Sequence, residues 1–289
     1  MHHFGKFEEG ALGSHRSHPT FAGHAEGYAQ VDLVNRASGS VHTGLSIAEL
    51  AAGGVLHPHV HSYEEGFYIL SGEAVVVIAG VPYHLGPGDY GAVKVGTAHA
   101  MRAVGGKPVR WMQMAAPQPK PPGAERDTFF CKDRTVPLGA PRLDVTNLQG
   151  NLLGHFDETM IPPVGDRPVA GPGLEGVFLK WLIDEAFGAR HHRMLFIEYQ
   201  PGVRLGLHDH TFEEGYVILK GEVEATVDGT TYLAKPGDVV WTGVGCVHGF
   251  ANVGTVPVLW LETFAPQPPD ENVFRFMAEW EKKAKEIEG

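Results

Sequence analysis

Short apolar runs closed by Gly and Pro fill most of this chain. Two of them, FYILSGEAVVVI (67–78) and YVILKGEVEATV (216–227), are rich in β-branched and aromatic residues and break at Gly72 and Gly221. That composition predicts strands joined by a turn. Pro87-Gly88-Asp89 and Pro236-Gly237-Asp238 place further turns at matching distances downstream. Many short strands with regular breaks predict an all-β protein, a sandwich or small barrel. The last segment has another period. Val273, Phe276, Met277, Trp280, Ala284 and Ile287 recur at helical spacing behind Asp270, a candidate N-cap. This predicts a C-terminal α-helix over 270–288 that packs on a barrel or at a subunit interface.

The strand pattern occurs twice. Gly66–Asp89 aligns with Gly215–Asp238, Glu26-Gly27 with Glu175-Gly176, and His42, Glu49 and Gly53 with His191, Glu198 and Gly202. Downstream, Trp111 matches Trp260, and residues 116–119 match 265–268 as Ala-Pro-Gln-Pro. The register runs ungapped from about residue 26 to 119, as gene duplication and fusion would leave it. At 289 residues two domains are the natural division. The expected limits are an N-terminal barrel over 1–130, a linker over 131–170 rich in Pro, Gly and charge, and a C-terminal barrel with the terminal helix over 171–289. The segment GAERDTFFCKD (123–133) takes the place in the first repeat that the helix takes in the second.

Inside the repeat lies a chemical pattern. His59, His61, Glu65 and His99 are matched by His208, His210, Glu214 and His248, each displaced by 149 positions (208 from 59, 248 from 99). Two histidines two apart on a strand point to one face. Three neutral imidazoles and a carboxylate suit a divalent transition metal, Fe, Mn, Ni, Co or Zn, one per barrel. Four protein ligands on a six-coordinate metal leave two positions open, as catalysis requires. The alternative, that these are satisfied barrel histidines or that one half is a relic, suits one histidine better than two complete sets.

Strand alternation nominates the lining. Counting inward from the glutamates gives Phe67 and Tyr216. From the third histidines it gives Met101 and Phe250, then Ala103 and Asn252. Counting back from the first histidines gives His57 and Val55, or Gly206 and Arg204. Phe67, Met101, Arg204, Phe250 and Asn252 are thus the expected substrate-binding residues, with Glu65, Glu214 and Tyr216 as the expected catalytic ones. Arg204 would grip a carboxylate, or else sit at the rim in a surface salt bridge. Gln113 and Glu262 hold equivalent places on the last strand. Glu262 is a candidate general base, though solvent exposure is the commoner fate of such a residue, and Arg102 is expected to face outward. The richer polar equipment beside His208, His210, Glu214 and His248 favours the second site for turnover.

Composition narrows the partners. A net charge of −11 argues against nucleic acid. No apolar run reaches membrane-span length. Residues 1–13 lack a signal-peptide layout, so a cytoplasmic location is the expectation. The expected partner is a small-molecule substrate, with homo-oligomerisation open. Cys131 and Cys246 give no disulfide framework. Cys246, two positions before His248, reads as a packed side chain, or else as a weak secondary ligand or reactive thiol. His2, His3, His15, His18 and His24 have no ligand spacing and read as solvated, with one or two packing on a neighbouring domain.

These motifs resemble a known family. Gly53-x5-His59-x-His61-x3-Glu65-x6-Gly72 and Gly202-x5-His208-x-His210-x3-Glu214-x6-Gly221 are similar to the first motif of the cupin superfamily. Gly237-x5-Gly243-x-Gly245-x2-His248-x3-Asn252 resembles the second, with Gly243 in place of its Pro. The first repeat carries Lys94 and Ala103 where that motif has Pro and Asn. The resemblance implies a bicupin, two tandem double-stranded β-helix barrels. It further implies a metal-dependent enzyme, with the three-His, one-Glu site similar to that of quercetinase-like dioxygenases. An aminohydrolase or isomerase of the ureidoglycine aminohydrolase type is the alternative, and a non-catalytic metal- or ligand-binding cupin a third.

Overall fold

The computed structural model describes residues 1–12, 19–121, 123–167, 174–268 and 274–288. Asp270 and Val273, with His15 and His18, lie outside them.

Strands dominate, and each repeat curls them into a barrel. In the first, Glu64–Ser71, Val109–Ala116 and the long strand Gly44–His61 lie side by side, and His99–Val104, Glu73–Ile78 and Val81–Leu85 follow beyond Gly44–His61. In the second, Glu213–Lys220, Val258–Ala265 and Arg193–Tyr199 form one sheet, and Val223–Val227, His248–Ala251 and the two-residue strand His208–Asp209 belong to the other. The counterpart of Gly44–His61 is therefore broken. Pro201 stands where the first repeat has Ala52, and proline has no N–H to continue the ladder. The apolar alternation read from sequence becomes two barrel interiors: Ile69, Val76, Met101 and Trp111 in one, Ile218, Val223, Phe250 and Trp260 in the other.

The barrels share a third core. Leu45, Ile47, Tyr68, Met112 and Met114 pack with Phe196, Val217, Trp241, Leu259 and Leu261. This explains strands that are apolar on both faces: one side fills a barrel, the other the joint between barrels.

The ends of the repeats are exchanged. His2–Lys6 pairs with Asp238–Thr242 of the second barrel, while Leu152–His155, from the segment between the barrels, pairs with Asp89–Val93 of the first. Lys6 and His155 face the equivalent residues Asp238 and Asp89, so the 149-residue register extends to the N-terminal strand. Each strand covers an edge that would otherwise stand open.

The terminal helix spans Met277–Glu288, shorter than the periodicity suggests. Phe276 belongs instead to a short strand, Arg275–Phe276, on His208–Asp209. Arg275 donates from Nε and from a terminal nitrogen to both Asp209 carboxylate oxygens, at 2.7 and 2.6 Å. That fork fixes the chain as extended before the helix begins. Trp280 is 61% and Ile287 71% exposed, so the helix does not bury its apolar face on a barrel. The equivalent segment of the first repeat is a strand alone, Thr128–Phe130, on His59–His61.

Candidate metal centres

His59, His61 and His99 converge inside the first barrel, and His208, His210 and His248 inside the second. Within each set, one ring nitrogen per histidine lies within 4.8 Å of the others, and all six residues are buried. Glu65 Oε2 lies 3.3 Å from His61 Nε2. Glu214 Oε2 lies 2.7 Å from His210 Nε2 and 3.2 Å from His248 Nε2.

The outer nitrogens decide the tautomers. Nδ1 of His59 faces the His57 carbonyl at 2.7 Å, and Nδ1 of His99 faces that of Thr97 at 3.1 Å. In the second barrel Nδ1 of His208, His210 and His248 faces the carbonyls of Gly206, Phe212 and Cys246 at 2.8–2.9 Å. A carbonyl only accepts, so each of these Nδ1 atoms carries the hydrogen and each Nε2 presents a lone pair. His61 is held by the Thr128 hydroxyl at 3.1 Å. The Nε2 atoms of His61, His99 and His210 are buried without a hydrogen bond. Inward lone pairs beside a carboxylate repel one another unless a cation sits among them, which fits a metal.

Burial sets the charge states. It pushes His99 down to about 4, assisted by neighbouring His61, and His208 down to about 4, assisted by His248. It also holds His59 well below the usual range, with His99 and His61 adding to it. Burial alone would raise the Glu65 carboxyl, but His61 and His99 outweigh it and the group is held low. Glu214 is likewise held low against burial by His210 and His248. His59, His99 and His208 are neutral and the two carboxylates ionised near neutral pH, as metal ligands must be; His210 is instead raised, because the Glu214 carboxylate beside it outweighs burial. A consequence is testable. For a buried neutral histidine the unfolded chain binds the extra proton first, starting near the ordinary 6.5. Metal-free protein is therefore expected to lose stability progressively from about pH 6.5 to pH 4, by about 3 kcal/mol for each of His99 and His208. Denaturant midpoints that stay level across that window would contradict it.

The first site opens on a cavity lined by Phe21, Tyr28, Leu56, Phe67, Met101 and Gln113 around His59, His99 and Glu65. Its free volume is about 20 Å³, room for roughly one water. Phe21 lies edge-on to His59, and Phe130, stacked on His24, lies 6.0 Å from the same ring. In the second site Phe274 and Phe276 stand over His208. The Tyr216 hydroxyl donates to Glu214 and lies 3.1 Å from His248 Nε2, where the first site has only the Phe67 ring. Phe250 packs on Tyr216 at 4.5 Å.

Several expected placements are corrected. Arg204 is exposed and bridges Ala251 from outside the barrel. Its counterpart Val55 also faces outward, and His57 binds the Arg134 carbonyl and Glu26. The cause is a bulge. Leu56 pairs with Met101 and His59 with His99, so three steps on one strand oppose two on the other. The extra residue flips the alternation, and Leu56 faces inward. Asn252 is buried but committed to backbone: its amide donates to the Tyr199 and Val256 carbonyls, and its oxygen accepts from the Gly254 N–H. It closes a loop rather than lining a pocket. Gln113 and Glu262 turn inward rather than to solvent, each accepting from a tryptophan indole, Trp111 and Trp260. Burial first and Glu214 second hold the Glu262 carboxyl well above its usual range. His24 is stacked near the first mouth, not solvated. Alternation gave no signal for Phe21, Tyr28, Phe130 or Phe274, because they reach the sites from other elements.

Two fused β-barrels, each closing a three-histidine, one-glutamate set inside its mouth, define a tandem-barrel protein with paired metal-type centres. The Cupin domain model matches residues 46–114 and again 195–264. The chain belongs to the cupin superfamily, as a bicupin. No curated protein sequence matches it. Among solved structures it is similar to the Lactobacillus farciminis oxalate decarboxylase formate complex, at 16% identity and TM-score 0.63, covering 91% of this chain and 90% of that one. Bacillus subtilis oxalate decarboxylase at pH 4.6 aligns at 19% identity and TM-score 0.59, over 91% and 78%. Salicylate 1,2-dioxygenase from Pseudoaminobacter salicylatoxidans, with gentisate adducts, aligns at 14% and 0.64, over 82% and 73%. No helix among the described residues is long and apolar enough to cross a membrane.

Proposed function

We propose that this bicupin is a metal-dependent enzyme acting on a small organic metabolite, a non-haem metal dioxygenase whose substrate site is in the first barrel. The observation that carries the metal is the Nδ1–carbonyl contacts of His59, His99, His208, His210 and His248, which leave Nε2 of each free for the centre where three histidine donor atoms converge. His59, His61, Glu65 and His99 hold one divalent metal; His208, His210, Glu214 and His248 hold the other. Such a metal supplies Lewis acidity and, if iron or manganese, redox contact with dioxygen.

The chain's own residues supply the rest. Phe67, Met101, Leu56 and Phe21 surround the centre with apolar surface and suit a small apolar substrate group. The ionised Glu65 accepts a proton from a substrate hydroxyl. Gln113, whose Oε1 accepts from Trp111 Nε1 at 2.8 Å, brings a polar amide to the cavity wall. In the second barrel Tyr216 takes the place a substrate would need, and the exposed Arg204 offers it no grip there. This favours the first site for turnover, against the expectation from sequence.

The oxalate decarboxylase likeness supports a second reading, a lyase acting on a small carboxylate. The cavity lining holds no lysine or arginine to grip a dianion, which places this reading, and an aminohydrolase, behind oxygen chemistry. Elemental analysis followed by oxygen consumption against enolic and phenolic substrates tests the proposal. Turnover is expected to stop without oxygen, and undiminished anaerobic turnover overturns the dioxygenase reading.

A further inference from the structure

We propose that His2, Asp228 and Cys246 form a third metal site, of zinc type, that fastens the exchanged N-terminal strand to the second barrel. One donor atom from each of the three lies within 4.8 Å of the other two. His2 Nδ1 is 3.4 Å from Asp228 Oδ2. Bonds of 2.0–2.3 Å to a tetrahedral zinc place its ligands roughly 3.5 Å apart. One edge of the site is therefore already at bonding separation, and closing the rest takes a shift of about an ångström.

Each donor is held from behind. His2 lies in the strand register opposite Thr242. Its Nε2 meets the Tyr232 hydroxyl at 3.0 Å, while Phe4 stacks on the Tyr232 ring at 4.5 Å. Asp228 sits at the tip of the hairpin between Val223–Val227 and Thr230–Ala234 with φ +46°, a left-handed conformation that costs free energy for a residue with a side chain. Its backbone N–H donates to the Val247 carbonyl at 2.7 Å, and its Oδ1 accepts from the Val247 N–H at 3.3 Å. Cys246 is 1% exposed and carries its sulfur into this corner. Imidazole, carboxylate and thiolate together are a zinc-type donor set, neutralising a divalent cation with two negative charges. On binding, the thiol proton leaves to solvent and the cation takes the place of the Met1 ammonium, now 2.9 Å from Asp228 Oδ2.

The placement gives the site a purpose. His2 comes from the strand that crosses to the second barrel, Asp228 and Cys246 from that barrel itself. The Cys246 carbonyl also accepts from His248 Nδ1 at 2.9 Å, so a metal here steadies the loop that presents His248. This inference stands apart from the enzymatic reading, because it uses none of the eight histidine and glutamate ligands.

The test exploits sulfur. Neither barrel set contains a thiol, so a thiolate-to-metal charge-transfer band on adding Co2+ to the full chain, without an N-terminal tag, reports this corner alone. The band is expected in the parent protein and in Cys131→Ser, and absent in Cys246→Ser. His2→Ala, at a partly exposed residue, keeps the protein available if Cys246→Ser does not fold, and is expected to weaken cobalt binding at this band by more than about tenfold. A parent protein without the band, a band surviving Cys246→Ser, or unchanged affinity in His2→Ala overturns the site. Empty barrels beside an intact band would count against the enzymatic reading only.

Discussion

His61→Ala is expected to lower turnover by more than about 100-fold and to remove about one equivalent of metal, while His210→Ala removes the other equivalent and lowers turnover far less. Altering groups that merely orient a metal-bound histidine costs 10–100-fold in affinity or activity, so losing a ligand costs at least that. His61 is buried, its Nδ1 held by Thr128, and its Nε2 lies 3.3 Å from Glu65 without a hydrogen bond. Alanine leaves three ligands and an ionised glutamate with no cation to face. The asymmetry between the variants follows from the Tyr216 hydroxyl, which occupies the second site's inner face. Metal content by elemental analysis and turnover under one set of conditions check both halves. Equal losses of turnover in the two variants would contradict the assignment of catalysis to the first barrel.

Glu64→Ala is expected to destabilise the protein by about 1–3 kcal/mol, the cost of leaving buried hydrogen-bond donors without their acceptor. Glu64 is buried at the joint between barrels. It accepts from the backbone N–H groups of Arg190 and His191 at 3.0 and 3.1 Å, and its Oε1 lies 2.8 Å from His192 Nδ1. Burial would raise its carboxyl, but His192 and those N–H groups overcome that and keep it low. The counterpart Glu213 reaches back to the equivalent loop of the first barrel. It accepts from Val41, His42 and Thr43 N–H groups at 2.9, 3.2 and 3.1 Å and from the Ser40 hydroxyl at 2.6 Å. Each clamp immediately precedes a candidate ligand, Glu65 or Glu214, so loosening it moves that ligand's strand. Urea midpoints of Glu64→Ala and Glu213→Ala measure the effect, and a loss below about 1 kcal/mol in both would contradict the clamp.

Much of this was legible in the chain. Strand composition, Gly and Pro breaks and the 149-residue register sufficed for two barrels, because period-two burial and turn chemistry are local properties. The ligand candidates were legible because His59 and His61 share a strand face and the same spacing recurs. Lining residues beyond Phe67, Met101, Tyr216 and Phe250 were not. Counting by two assumes an unbroken ladder. The bulge between Leu56 and His59 inverted it and carried His57 outward, and in the second barrel the four steps from Arg204 to His208 opposite the three from Ala251 to His248 did the same for Arg204. The Glu64–His192 clamp left no trace either, since its partners are 128 positions apart and no local pattern joins them.

The sequence by itself determined the architecture, the donor set and its duplication, all properties of residue type and short-range spacing. Only the tertiary structure decided which way each nitrogen points, that a cavity lies beside the first centre, and that the repeats exchange edge strands. Those outcomes depend on where distant backbone carbonyls, a bulge and one tyrosine hydroxyl fall in space, and the free energy of burial that places them is summed over the whole fold.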